Sequence, residues 1–419
     1  MDASRFFTHS LRDPRVARIL AAALDAVDSG AVVERYLTSN PLPPADRVFT
    51  LGLGKAAVSM TRALSRFTNL TSALVITKHA STPNLQPATL IESGHPVPDS
   101  RSLAAGEAAL EFVSALKEDD LLICLISGGG SALMTAPLIP LEDLQSLTSA
   151  LLACGARIDE INTLRRHLDR VKGGGIARVT KARVLSLILS DVVGNPLEAI
   201  ASGPTAPDPT TRDDALEIIK KYALSLPSST LKSLLSSSET PKADHPIFAR
   251  VQNVIVGDNA LAARAALAQA KQEGFQTEYL GSHWQGEARE VAKEFAQKLC
   301  NNETHPICMI AGGETTVTIK GNGKGGRNQE LALAAVPELD RLENALLITL
   351  ATDGEDGPTD AAGAVVTGET RQRAEAAGLS VADFLSRNDA YTFFEQVDDL
   401  IKTGPTGTNV NDLTFLFAL

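Results

Sequence analysis

Lys55 sits in Gly52-Leu53-Gly54-Lys55-Ala56-Ala57, where a β-rich run gives way to an alanine-rich helical stretch. At such a junction the unsatisfied amides of a helix start and a cationic side chain both face an incoming anion. A lysine gains nothing from the helix dipole at that end, so its use lies with a ligand rather than with stability. The spacing also fits the dinucleotide pattern G-x-G-x-x-A. A nicotinamide site of that kind needs an acid about 20 residues further on to hold the ribose hydroxyls. No acid occurs between Gly54 and Glu92.

Ser127-Gly128-Gly129-Gly130-Ser131 follows an apolar run. Three glycines let backbone amides converge on phosphate or carboxylate oxygens, with the Ser127 and Ser131 hydroxyls alongside. A plain tight turn rarely needs so many. Gly312-Gly313-Glu314 repeats the theme in the second half. Arg327 closes the basic, glycine-rich stretch that starts at Lys320, and an arginine there can clamp a carboxylate or a γ-phosphate with two parallel bonds. Lys55 and Arg327 are the leading catalytic candidates. No G-x-x-x-x-G-K-[ST] occurs, so the standard P-loop is excluded.

Asp191 and Asp353 each follow an apolar strand-like run. Carboxylates at strand ends hold Mg²⁺ or orient an attacking hydroxyl, and both are candidate metal ligands; the competing use is a helix cap. Asp258 and Asn259 follow a further such run, and Asn411 and Asp412 form a polar pair near the C-terminus. These join the substrate- and nucleotide-binding candidates. His95, between Gly94 and Pro96, is a secondary catalytic candidate, since the flanking prolines favour a structural histidine in a rigid turn.

Positioning these residues requires strands that end together. Short apolar runs at 48–54, 121–127, 184–190, 254–257, 307–311 and 346–352 each lead into glycine or an acid and then into a helical pattern. This predicts an α/β fold of mostly parallel sheets covered on both faces, with ligands outside the carboxyl ends of the strands. Proline and serine collect at 205–245, predicting a linker or irregular helical segment there. The expected division is residues 1–240 and 241–419.

Composition narrows the function classes. The 419 residues suffice for two domains, and 44% hydrophobic with 21% charged residues is an ordinary globular balance. A net charge of −11 without a basic, aromatic-interleaved stripe argues against nucleic acid. No apolar run approaches the roughly 18–20 residues that cross a membrane. The four cysteines show no CxxC pair or zinc-like spacing and read as buried thiols, placing the chain in the cytoplasm. Homo-oligomerisation is left open.

Taken with Ser190-Asp191-Val192-Val193-Gly194, Ala201-Ser202-Gly203-Pro204-Thr205, Gly325-Gly326-Arg327-Asn328-Gln329-Glu330 and Thr352-Asp353-Gly354-Glu355-Asp356-Gly357, the motifs resemble the type II glycerate kinases, whose C-terminal part is called the MOFRL domain. The resemblance runs over essentially the whole chain. It implies two Rossmann-like three-layer domains with the active site in the cleft between them, ATP with Mg²⁺ as phosphoryl donor, and glycerate phosphorylated at its 2-hydroxyl. The family's catalytic lysine falls on Lys55, its catalytic arginine on Arg327 and its strand-end acids on Asp191 and Asp353. Competing expectations are a hydroxypyruvate reductase using NAD(P)H, a name attached to similar sequences, and a non-catalytic sugar-acid or nucleotide sensor.

Overall fold

The computed structural model describes residues 1–79 and 85–419. The chain divides into two compact units. One spans residues 29–256; the other joins residues 1–28 to 257–419. The division expected at residue 240 therefore differs from the compact units at both ends. Of the two expectations for 205–245 the helical one holds: the proline- and serine-rich stretch contains helices Arg212–Lys221 and Ser228–Ser236. Their buried faces share an apolar cluster with helices Leu141–Ala153 and Ile158–His167, through Leu144, Leu147, Leu164, Ala215, Ile218 and Leu234.

In the first unit, strands Val48–Leu53 (β1), Ser72–Thr77 (β2), Ala88–Glu92 (β3), Leu121–Ile126 (β4), Arg183–Leu189 (β5) and Val251–Gly257 (β6) form one sheet. Its order is 3-2-1-4-5-6. The pairings of β1 with β2 and β4, of β2 with β3 and of β4 with β5 are all parallel. The charge-free β4, Leu-Leu-Ile-Cys-Leu-Ile, is buried throughout, as a central parallel strand covered on both faces must be. Strand order reverses between β1 and β4, and the crevice outside that reversal is where such sheets bind ligands.

The second unit carries Gln276–Tyr279 (β7), Trp284–Glu287 (β8), Ile307–Thr316 (β9), Ala345–Ala351 (β10), Gly363–Thr367 (β11), Leu400–Ile401 (β12) and Asp412–Ala418 (β13). The path is β12-β11-β10-β13-β9-β7, with β8 also on β9. Here the sheet is mixed. β7 and β8 run parallel to β9, but β13 is antiparallel to both β9 and β10, and β11 to β10 and β12. Apolar strands buried on both faces look alike in either direction, so the runs at 307–311 and 346–352 predict strands without fixing their sense. The antiparallel β13 has a consequence for the site: its first residues lie at the end of the sheet where β9 and β10 finish, with Asp412 opposite Gly313 and Ala351.

The N-terminal helix Pro14–Ala26 belongs to this second unit and packs on helix Asn259–Gln272. It starts cleanly, with the Asp13 carboxylate accepting from the Arg15 amide and proline at the first turn. Asp399, fully buried, anchors the preceding segment: it accepts from Thr8 Oγ1 (2.9 Å), from the Ser10 amide and hydroxyl (2.8 Å each) and from Arg373. Among the described residues no helix is long and apolar enough to cross a membrane. Cys124 and Cys308 are buried thiols as expected, but Cys154 and Cys300 are exposed, Cys154 just past the end of helix Leu141–Ala153 and Cys300 at the end of helix Ala288–Cys300. Replacing Asp399 by alanine takes from Arg373 its carboxylate partner and frees the N-terminal segment, with an expected cost of about 3–5 kcal/mol. Calorimetry measures it; a midpoint equal to wild type would contradict the anchor.

Candidate active site

In the first unit, two loops meet at the sheet's reversal point. Gly54, just past β1, has φ +120°, and a Cβ there would lie 2.3 Å from Ser127 Oγ and 2.5 Å from Ser127 O, so only glycine fits. The loops are bonded across this contact. The Lys55 amide donates to Gly128 O (3.0 Å), the Ala56 amide to Ser127 Oγ (3.0 Å) and the Ser127 amide to Leu53 O (2.9 Å). Helix Ala57–Leu64 follows at once, so Lys55 stands just before a helix start. Its side chain is exposed and makes no ion pair among the described residues.

The glycine loop is flanked by Asp191, by serine hydroxyls and by a histidine. A Cβ on Gly128 would lie 2.1 Å from the Asp191 carboxylate, and one on Gly129 (φ +87°) would lie 3.1 Å from His95 and 3.5 Å from the Lys55 side chain. Ser131 Oγ is 2.8 Å from Ser202 Oγ. Ser202 belongs to the left-handed run Ala201, Ser202 and Gly203, with φ of 50°, 60° and 63°. Two successive non-glycine residues in that region hold strain that the surrounding structure must support, and such strain collects at functional sites. The half-buried His95 has its pKa pulled down to about 4, by burial first and then by the Lys55 and Lys78 charges. It is a neutral imidazole beside the loop.

The second unit builds a different cluster. Arg327, first residue of helix Arg327–Ala335, donates through Nε and Nη2 to Asp412 (2.5 and 3.3 Å) and through Nη1 to Glu314 (2.7 Å). Burial opposes its charge, yet the two carboxylates outweigh burial and hold its pKa above the ordinary value. Glu314 is pushed upward, by burial and by Asp412, despite Arg327. Asp412 is only 10% exposed and Glu314 40%. Of the five guanidinium N–H groups, three are used and two remain for a ligand.

Under this cluster Asp356, 2% exposed, accepts from the Asn328 amide (3.1 Å) and the Gln329 amide (2.8 Å), capping the helix that Arg327 begins. Gly312 and Gly313 are glycines because the chain passes close by: a Cβ would lie 1.6 Å from Asn259 Oδ1 and 2.0 Å from Trp284 O, respectively. Asn259 donates to the carbonyls of Val410 and Asp412 (3.0 and 2.9 Å), holding the start of β13.

The structure thus groups Gly54, Lys55, Ser127, Gly128, Gly129, Gly130, Ser131 and Asp191 in one unit, and Gly312, Gly313, Glu314, Arg327, Asn259 and Asp412 in the other. Asp258 serves as a helix cap, accepting from the Leu261 amide (2.8 Å). Asn411 takes a left-handed φ of 68°, and its carbonyl accepts from the Thr352 amide and hydroxyl. Asp353 accepts from the Glu355 amide (3.2 Å) in the turn after β10 and is not among the carboxylates on Arg327. His95, a secondary candidate in the sequence, lies beside Gly129, and Asp356 is not singled out by the sequence. A histidine between Gly94 and Pro96 carries no local sign that the fold sets it beside Gly129, and Asp356 is hidden among the acids of 353–360.

Among the described residues no group of three His, Cys, Asp or Glu side chains could hold a metal ion by itself. Mg²⁺ commonly takes only one or two protein carboxylates, with phosphate oxygens and water completing its shell. The Asp191 carboxylate lies against Gly128 in the glycine loop.

A 3-2-1-4-5-6 sheet with glycine loops at its reversal point in one unit, and a carboxylate-held arginine at a helix start in the other, define an α/β protein with two anion-facing constellations. Residues 15–235 match a family described as a domain of unknown function, DUF4147, and residues 307–412 match the MOFRL family. The chain is 40% identical to D-glycerate 2-kinase of Thermotoga maritima over 96% of its length and 98% of that protein. It is 40% identical to glycerate 2-kinase of Pyrococcus horikoshii, covering 88% of this chain and 86% of that one. It is also 38% identical to a putative hydroxypyruvate reductase of Agrobacterium vitis over 94% and 92% of the two chains. The crystal structure of Thermotoga maritima glycerate kinase superposes with a TM-score of 0.89 at 38% identity, covering 96% of this chain and 98% of that one. The chain belongs to the glycerate 2-kinase family.

The electrostatics of the second unit carry a pH signature. Burial, and then the Asp412 charge, push the Asp356 pKa up to about 7, despite the amides that favour its charged form. Between about pH 4, where an unfolded aspartate titrates, and about pH 7 the folded protein keeps a proton that the unfolded chain releases. The contribution of Asp356 to stability therefore falls as pH rises through that window. Urea midpoints across it should fall more for wild type than for Asp356→Asn; parallel profiles would contradict the raised value.

Proposed function

We propose that this protein transfers the γ-phosphate of ATP to the 2-hydroxyl of D-glycerate, giving 2-phosphoglycerate and ADP. The observation that carries the reading is Lys55, an exposed cation without an ion-pair partner among the described residues, standing beside a triple-glycine loop at the sheet's reversal point. The whole-chain kinship with glycerate 2-kinases gives the substrate.

Phosphoryl transfer demands positioning and charge neutralisation more than covalent chemistry. Backbone amides and hydroxyls of 127–131 would bind phosphate or carboxylate oxygens, and Lys55 would neutralise charge on the transferring group. Arg327 would bind an anion through its two remaining N–H groups, the incoming oxygens displacing the more exposed Glu314 while Asp412 keeps the guanidinium oriented. Asp191 would hold Mg²⁺, which when bound shields the phosphate charges from the attacking oxygen. Asp353, the other acid projected for the metal, remains a second candidate. Neutral His95 can accept a hydrogen bond from the acceptor hydroxyl.

The reductase reading lacks such support. β2 ends in Thr77 followed by Lys78, with no acid to hold a nicotinamide ribose.

Steady-state kinetics test the assignment. Lys55→Ala and Arg327→Ala should each lower kcat/KM for D-glycerate by about 100- to 1,000-fold, with an unchanged melting temperature for Lys55→Ala, and Arg327→Lys should recover only part, because an ammonium lacks the planar fork. A Lys55→Ala enzyme with wild-type kcat would sink the role given to that residue.

A further inference from the structure

The unit that carries the glycine loop also contains a cavity of about 270 Å³. Ser131, the residue that closes the triple-glycine loop, lines it, as do Pro96 and Val97, which follow His95. Arg165, Asp169 and Lys172 line it too.

Arg165 sits in the last turn of helix Ile158–His167, half-buried, and its guanidinium makes no hydrogen bond and no ion pair among the described residues. Asp169, the carboxylate whose charge it feels, is already engaged. It accepts from Lys172 Nζ (2.6 Å), from the Thr135 hydroxyl and from the amides of Ala136 (3.1 Å) and Val171 (3.0 Å). Lys172 in turn gives a second N–H to Met134 O (3.0 Å), which leaves one of its three donors. Burial depresses the pKa of Arg165. A partly desolvated guanidinium with open donors is costly unless an anion completes it.

Size and chemistry narrow that anion. A cavity of about 270 Å³ has room for a three-carbon acid with a little water. Pro96, Val97 and Leu152 give carbon-facing wall, and Ser131, its hydroxyl bonded to Ser202, lines the end beside the loop. We propose that this cavity is the acceptor site, in which Arg165 binds the carboxylate of a small hydroxy acid and Ser131 meets its hydroxyl end. The inference rests on the glycerate kinase reading and assigns the acceptor to the 29–256 unit.

The test separates the two. Arg165→Met keeps the side-chain bulk and removes the fork; it should raise KM for D-glycerate by about 10- to 100-fold while KM for ATP and kcat at saturating glycerate stay within about threefold. D-glyceramide, which lacks the carboxylate charge, should inhibit wild type and variant equally. Ser149→Tyr, at an exposed position lining the same cavity, should raise KM for D-glycerate without touching Arg165. It decides the matter if Arg165→Met melts early. A KM for D-glycerate within about twofold of wild type in both variants would overturn the acceptor site. If wild type fails to phosphorylate glycerate, the functional reading falls. Calorimetric titration of D-glycerate into wild type and Arg165→Met without ATP then decides the cavity alone: tight binding to wild type with about tenfold weaker binding to the variant supports it, and equal binding removes it.

Discussion

The contact between Gly54 and Ser127 is the constraint on which the glycine-loop site depends. A positive φ and a backbone approach closer than any Cβ allows bring the ends of β1 and β4 into direct hydrogen bonding. That contact sets Lys55 beside the loop, turns Gly128 toward Asp191 and Gly129 toward His95, and leaves Ser131 on the wall of a cavity. The left-handed run at Ala201 to Gly203 closes the arrangement from outside, with Gly130 packed against Ala201 and Ser131 bonded to Ser202.

The second unit solves a related problem with a mixed sheet. Because β13 enters antiparallel, a C-terminal acid arrives where β9 delivers Glu314, and Arg327 lies between the two. The arginine is held by one nearly buried and one exposed carboxylate. It is therefore oriented in advance yet able to exchange a partner, which suits a residue that must meet an anion without reorganising.

The parts of this picture set by local chemistry are legible in the sequence. The β4 run and its glycines, the helix starts after Asp13 and Asp258, and the cation at Lys55 all follow from short-range patterns. What depends on pairing across the chain is not. Strand direction in the second sheet, the capping of Asn328 and Gln329 by Asp356, and the approach of His95 to Gly129 rest on contacts between residues dozens of positions apart. At 205–245 the sequence leaves linker and helix open: proline and serine there mark the ends of short helices, whose burial depends on partners at 141–168. Asp353, similar in sequence to Asp191, serves a turn, while the buried carboxylate of that loop is Asp356.

One measurement bears most directly on the account. Wild-type protein incubated with D-glycerate, ATP and Mg²⁺, followed by ³¹P NMR, should show a phosphate ester at the 2-position growing as ATP becomes ADP. A 3-phosphate, or no ester while hydroxypyruvate is reduced by NADH, would contradict it.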